Sequence, residues 1–382
     1  NIDQSAIEKA AEILKNGVPG EILVTSYETM RRDQELYKGE DFFCQVIDEA
    51  QYIKNAGTKG ARAVKSVSAQ MKLALTGTPV ENRLSELWSI FDYLMPGFLY
   101  SYEHFKKNFE TPIMKKENED AMADLQKMIR PFILRRLKKE VLSDLPDKIE
   151  KCVTIPLEGE QKKLYDAHVQ RLKFMLENEE FANIRMQVLA ELTRLRQLCC
   201  DPALIYQDYQ EGAAKMELCM ELLNNAVNGG HKVLLFSQFT SMLEILEKRM
   251  EEAGIGYYSL TGSTPKKERM ELMEKFNRDA TPVFCISLKA GGTGLNLTGA
   301  DVVIHYDPWW NVAAENQATD RAHRIGQKRV VTVYKLVAEH TIEEKVVELQ
   351  QKKKELADQV LSGEEMGSIL FDREELLKLF QN

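Results

Sequence analysis

A two-lobed α/β architecture is predicted, and three features of the sequence predict it. Short apolar runs alternate with amphipathic helical segments, the rhythm of parallel strands joined by crossover helices. That rhythm occurs twice, once before Met95 and again from Lys232 onward. Between the two, charge-rich helical stretches replace it, so each lobe is expected to carry a helical insertion.

At 382 residues with 44% hydrophobic content, the chain is long enough for two or three cores. No run reaches the apolar length of a membrane span, and the polar opening (Asp3, Glu8, Lys9) does not read as a signal peptide. A soluble intracellular chain is expected, with no membrane partner. Six cysteines without a C-x-x-C pair and six histidines without H-E-x-x-H suggest neither a disulfide framework nor a zinc site. The net charge of −8 argues against nucleic acid in bulk, but Lys127 to Lys139 carries Lys127, Arg130, Arg135, Arg136, Lys138 and Lys139 with no acid. A solvated basic face and a phosphate-binding face both fit that run.

Taken in order, Ile7, Ala10, Ala11 and Leu14 predict a helix ending near Gly17, and EILVTSYE (Glu21 to Glu28) reads as a strand. Phe42 to Ile47 is short, apolar and uninterrupted, which predicts a buried strand of a parallel sheet. A further strand, KLAL (Lys72 to Leu75), leads into Thr76-Gly77-Thr78-Pro79. After Met95-Pro96-Gly97 a helical, charge-rich stretch runs to Leu145-Pro146, and another helical block covers Glu160 to Leu198. From Lys232 the predicted order is strand KVLLF, helix Ser241 to Ala253, strand YYSL, a helix from Pro265, and strands VFCISL and DVVIHY. A helix from Val312, strand VVTVYKLV and a helix from Ile342 complete it. Thr264 is the expected N-cap of the second of these helices, with Pro265 at N1. The boundaries drawn are residues 1–145 with an insertion at about 96–140, residues 146–350 with an insertion at about 157–212, and a helical tail at 351–382.

Three clusters carry chemistry. Asp48 and Glu49 follow the Phe42 to Ile47 run, where open α/β sheets bind ligands beyond the carboxyl ends of their strands. Capping of the next helix by Asp48 is one reading. The other is that one carboxylate holds Mg²⁺ while its neighbour orients a water. Gly291, Gly292 and Gly294 form a turn after a strand, either a tight connection or a backbone cradle for phosphate. Trp309 and Trp310 follow another strand and suit either lobe packing or base stacking. In NQATDRAHRIGQ, Gln317, Arg321 and Arg324 fall four and three apart, on one face of a helix that Gly326 would stop. A solvated face is the plain reading; two guanidinium forks aimed at a transferring γ-phosphate is the functional one.

The strings VIDEAQ, LTGTPVENRLSELWSIFDYLMPG, RPFILRRLKKEV, VLLFSQFTSML, YYSLTGSTPKKER, SLKAGGTGLNLTGADVVIHYDPWWN and QATDRAHRIGQ together resemble, in order, the motifs of the Swi/Snf-like ATPases. These are a branch of the superfamily-two helicase-like motors, and the resemblance covers nearly the whole chain. It implies two RecA-like lobes that bind ATP and Mg²⁺ and track double-stranded DNA. By position it implies that Asp48 holds Mg²⁺ through water and that Glu49 deprotonates the attacking water. Arg321 and Arg324 become arginine fingers, and Gln51, Thr76, Gly77, Gly294 and Gln317 nucleotide contacts. Thr76 to Pro79 couple nucleotide state to DNA grip, and Thr25, Ser26, Gln238, Thr261, Gly262, Gly292, Thr293 and Trp310 lie along the DNA.

Two departures accompany the resemblance. Asn311-Val312 stands where the family has Asn-Pro, which questions the start of that helix. No G-x-x-x-x-G-K-[ST] occurs, and the dipeptide Gly-Lys is absent. That loop supplies the N–H cradle and lysine for the β- and γ-phosphates. The first lobe is therefore expected to be incomplete in these residues, and the chain alone inactive as an ATPase. The expected whole is an ATP-dependent double-stranded DNA translocase, monomeric, acting in the cytoplasm at the nucleoid or in a nucleus. A strand-separating helicase and a non-enzymatic DNA-binding module are the alternatives.

Overall fold

The structure, a computed structural model, describes residues 22–77, 84–116, 118–136, 142, 145–179, 181–288, 290 and 295–362. The chain divides into two compact units, one running up to Ile133 and the other from Leu134 to Lys352. The helix expected to end near Gly17 lies outside the described residues.

In the first unit, β1 (Asp41–Ile47) pairs in parallel with β2 (Ser68–Ala74), from Asp41 opposite Ser68 to Ile47 opposite Ala74. Three helices accompany them: α1 (Tyr27–Arg32), α2 (Lys59–Lys65) and α3 (Leu84–Leu94). Ile47, Ala50, Ile53, Ala61, Val64, Ile90 and Tyr93 form their shared core. Two expectations fail here. Residues 22–26 are irregular and not a strand: Ser26 caps α1 by accepting from the Thr29 N–H at 3.1 Å, so the chain turns helical from Tyr27. Nor is β1 buried on both faces. Phe43 is 74% exposed and Val46 53%, one on each face, and Ile47 is the one buried residue of the strand, since the described sheet has two strands. After α3 comes a helical module of α4 (Tyr102–Phe105), a π-turn (Lys106–Glu110), α5 (Thr111–Lys116) and α6 (Glu119–Ile129). Phe105, Ile113, Met122, Leu125 and Ile129 fill its interior.

The second unit holds a six-stranded, all-parallel sheet. Its strands are β3 (Lys148–Pro156), β4 (Val233–Ser237), β5 (Tyr257–Leu260), β6 (Val283–Ser287), β7 (Val302–His305) and β8 (Val331–Glu339), in the order β3-β8-β7-β4-β6-β5. Pleating sends alternate residues to opposite faces. Val233, Leu235, Val283, Cys285, Val302 and Ile304 pack on one side, and Leu234, Phe236, Phe284, Ile286 and Val303 on the other. Burial on both faces explains why these strands read as continuous apolar runs. β4 is the topological switch point: β5 and β6 lie to one side of it, β7 and β8 to the other. The β3 strand went unrecognised because KIEKCVTIP mixes charges into an edge strand.

The helical insertion is the pair α7 (Gly159–Asn178) and α8 (Phe181–Cys200), followed by α9 (Ala214–Asn228). The alternating helices are α10 (Thr240–Glu252), α11 (Lys266–Arg278), α12 (Val312–Thr319) and α13 (Ile342–Ser362). Pro265 itself takes the N-cap position of α11, while the Thr264 hydroxyl accepts from the Thr261 N–H at 3.1 Å, so Thr264 is no cap. Asn311 caps α12 by accepting from the Ala314 N–H at 3.3 Å, and the helix starts at Val312 without the family's proline. α13 continues unbroken through the expected boundary at residue 351. A fully buried ion pair ties this unit together: Lys215 on α9 donates to Glu343 of α13 at 2.6 and 2.8 Å and to the Tyr306 carbonyl at 2.9 Å. Burial alone would lower the ammonium's pKa, but the Glu343 carboxylate raises it above its ordinary value, so Lys215 stays charged.

His305 sits at the carboxyl end of β7, stacked on Phe236 at 5.4 Å, with Nε2 2.8 Å from Thr319 Oγ1. Burial pushes its pKa down to about 4, outweighing the opposing pull of Glu315, with Lys335 adding to the drop. The unfolded chain therefore takes up this proton first as pH falls. Stability is expected to drop between pH ~6.5 and ~4 by up to ~3 kcal/mol from this group. Urea unfolding of wild type and His305→Gln at pH 7.5 and 4.5 checks it: the variant should lose less on acidification, and equal losses would rule His305 out as the cause.

Candidate functional site

The first cluster grows from the end of β1. Strand pairing continues one step past the sheet, through Leu75 N–H to Ile47 O (2.8 Å) and Ala50 N–H to Leu75 O (2.9 Å), which brings the two turns side by side. Ala50 and Ile53 are fully buried in a 3₁₀ turn (Ala50–Ile53), and Ser89 Oγ donates to the Ile53 carbonyl at 2.7 Å. This anchor leaves Asp48 exposed and Glu49 half-buried at the carboxyl edge. Glu49 has φ 51° and ψ 54°, a left-handed conformation that is costly for a residue with a Cβ and is often found at functional turns.

Hydrogen bonds hold that turn. Glu49 N–H donates to Asp48 Oδ1 at 2.9 Å, so Asp48 braces its neighbour and makes no cap bond to the following 3₁₀ turn. Gln51 Nε2 donates to Glu49 Oε2 at 2.6 Å, and its Oε1 accepts from Thr76 Oγ1 at 2.8 Å. One side-chain amide thus links the acidic turn to the turn after β2. Tyr27 Oη donates to the Asp48 carbonyl at 2.7 Å, and burial, helped by the Asp48 and Glu49 carboxylates, pushes its phenol up to about 12. Tyr27 is a supporting residue that sequence reasoning missed, since its neighbourhood was read as a strand. Gly77 is exposed, as are Thr25 and Ser26; Thr78 and Pro79 lie outside the described residues.

The second cluster lies along the carboxyl edge of the six-stranded sheet. Gln238 follows β4, Thr261 and Gly262 follow β5, and Trp310 follows the end of β7, so parallel strand direction collects them on one edge. Gly292, Thr293 and Gly294 follow β6 and lie outside the described residues. At the switch point, fully buried Asp307 accepts from Ser237 Oγ at 2.5 Å and from Gln238 N–H at 3.3 Å. Burial raises its carboxyl pKa, and the Arg196 and Lys215 cations oppose that rise. The TGST turn after β5 is held by Arg269, which donates to the carbonyls of Thr264 (2.8 Å), Gly262 (3.1 Å) and Thr261 (3.2 Å). Arg196 and Arg269 escaped the sequence reading because an arginine on a helix ordinarily signals a solvated face.

The expected helical stripe is not formed. α12 ends at Thr319, so Gln317 is helical while Arg321 and Arg324 stand on the irregular turns beyond it. Tertiary hydrogen bonds outcompete helix continuation there. The Arg321 carbonyl accepts from Leu297 N–H at 3.0 Å, and the Gln327 amide donates to Thr298, Ala300 and Ala322 carbonyls at 3.2, 2.7 and 3.0 Å. His323 Nε2 lies 2.7 Å from the Pro146 carbonyl oxygen. Gly326, at φ 104°, closes the turns rather than the helix. Arg321 is buried (7% exposed), and Arg324 is exposed.

The SNF2-related domain matches residues 6–204, and the helicase conserved C-terminal domain matches residues 214–326. The putative ATP-dependent helicase/translocase YwqA of Bacillus subtilis is 41% identical over 368 residues, 94% of this chain and 40% of that protein. The TATA-binding protein-associated factor MOT1 of Saccharomyces cerevisiae is 36% identical over 421 residues, 94% of this chain and 22% of that protein. The solved Sulfolobus solfataricus SWI2/SNF2 ATPase core domain shares 38% identity at a TM-score of 0.52, covering 95% of this chain and 77% of that one. The chain belongs to the SNF2-related family of SWI2/SNF2 ATPases, and its two units have the parallel, helix-flanked sheets of RecA-like lobes. It spans between about a fifth and two fifths of the length of the YwqA and MOT1 relatives.

Proposed function

We propose that this chain carries catalytic and DNA-tracking parts of an ATP-driven motor that moves along double-stranded DNA and displaces or remodels proteins bound there. The observation that carries the proposal is the linked turn of Asp48, Glu49, Gln51 and Thr76, in which a strained glutamate is held by a side chain that also reads the neighbouring turn. The names of the relatives, an ATP-dependent helicase/translocase and a TATA-binding protein-associated factor, support a DNA motor with a DNA-bound protein as target.

Asp48 and Glu49 present hard carboxylate oxygens at one strand end, with Asp48 open to solvent. That donor set fits Mg²⁺, which keeps most of its waters and takes one or two carboxylates. When bound, Mg²⁺ supplies charge neutralisation to the phosphates. Asp48 would hold it, and Glu49 would accept the proton of the attacking water. Gln51 fixes the Glu49 carboxylate and transmits its position to Thr76. Arg321 and Arg324 are assigned to stabilising the transferring phosphoryl group, and Gln317, Gly77 and Gly294 to contacting the nucleotide. Thr25, Ser26, Gln238, Thr261, Gly262, Gly292, Thr293 and Trp310 are assigned to the DNA backbone. The motor would act as a monomer, in the cytoplasm at the nucleoid or in a nucleus.

The test is strand displacement by the full-length protein. ATP-dependent release of a third strand from a triplex, without unwinding of the plain duplex, is the expected result. Unwinding of the plain duplex would replace translocation with strand separation. Affinity for duplex should fall steeply with salt and depend little on sequence, since phosphates supply the contacts.

A further inference from the structure

Arg196 lies near the end of α8, in the helical insertion, yet its side chain is in the sheet's carboxyl-edge crevice at 6% exposure. Its guanidinium stands 5.8 Å from the Phe239 ring centroid and 5.5 Å from that of Trp310. Nη2 donates to the Pro308 carbonyl at 2.6 Å and lies 3.9 Å from Asp307 Oδ2. Asp307 in turn takes Ser237 Oγ and Gln238 N–H, and Ser237 Oγ accepts from Phe239 N–H at 3.2 Å. One planar cation therefore touches the turn after β4 and the turn after β7, the two turns that carry Gln238 and Trp310.

We propose that Arg196 is a positioning residue for the DNA-tracking turns: the insertion's guanidinium, wedged between Phe239 and Trp310 and bonded to Pro308, sets the orientation of Gln238 and Trp310. Three features argue for this. The turns are irregular backbone after strand ends, and the second is held by side chains: Arg196 at the Pro308 carbonyl, with Glu315 and Gln350 at the Trp309 backbone. The contact requires a flat fork that can stack and donate at once, which arginine provides and lysine does not. The cation comes from a different supersecondary unit, so movement of the insertion reaches both turns together. The proposal rests on the assignment of Gln238 and Trp310 to DNA for its functional consequence, but not for its structural one.

Arg196→Lys in the full-length protein is the main test, because it keeps a positive charge beside buried Asp307 and so preserves folding. Amide hydrogen exchange is expected to rise in residues 237–239 and 307–311 while the rest of the second unit stays protected, and duplex affinity is expected to fall roughly tenfold. Arg196→Met with Asp307→Asn, which removes both charges, should show the same local exchange. Unchanged exchange in both segments, in either protein, overturns the proposal. Trp310→Ala separates the two layers. If that variant binds duplex like wild type, the DNA assignment of Trp310 fails, while raised exchange in Arg196→Lys still upholds the positioning role.

Discussion

Glu49→Gln in the full-length protein is expected to bind ATP at near wild-type affinity and to lose turnover by about 10² to 10⁴, the range for removing a general base. Glutamine keeps the shape of glutamate and an oxygen that can still accept from Gln51 Nε2, so the Glu49–Gln51–Thr76 linkage survives. The left-handed backbone at Glu49 is equally unaffected, because the residue's Cβ is retained. What disappears is the carboxylate that takes the water's proton. Single-turnover hydrolysis alongside an ATP binding isotherm makes the check. Wild-type turnover would overturn the assignment, and parallel loss of ATP binding would reassign Glu49 to ground-state metal or nucleotide contact.

Arg324→Ala is expected to lower kcat by roughly 10³ to 10⁵ while leaving duplex affinity near normal, the range for an arginine finger. Its side chain is exposed on the turns after α12, so truncation leaves no cavity and should not cost folding. Arg324→Lys should not restore the rate, because an ammonium cannot present two parallel N–H groups to a phosphoryl oxygen pair. Arg321 differs: it is buried within turns whose backbone is bonded to Leu297, so Arg321→Ala should lower stability as well as rate. DNA-stimulated ATPase assays and melting curves distinguish the two. A selective loss of duplex binding in Arg324→Ala would move that arginine to the DNA track.

Much of the second lobe was legible because its strands are buried on both faces. Runs such as Val233 to Phe236 and Val283 to Ile286 leave no other element consistent with their length and flanking turns. The acidic turn was legible for a related reason, since a short apolar strand followed by two carboxylates places both at a carboxyl edge. Glu21 to Glu28 misled because its composition suits a strand, while Ser26 offers a helix cap that composition alone does not weigh. Gln317, Arg321 and Arg324 misled in the opposite sense. Their spacing is helical, but the carbonyls that a longer helix would use are taken by Leu297 and Gln327.

By itself the sequence determined where β4 to β8 of the second lobe lie, where the paired carboxylates fall and which family the motifs resemble. These follow from local patterns of apolar period, turn chemistry and motif order. Only the tertiary structure decided that Gln51 joins Glu49 to Thr76, that Arg196 and Arg269 support the strand-end turns, and that the two DRAHR arginines leave the helix. The Gln51, Arg196 and Arg321 arrangements depend on hydrogen bonds between groups distant in the chain, and that of Arg269 on a side chain folding back onto the preceding turn, none of which spacing alone specifies.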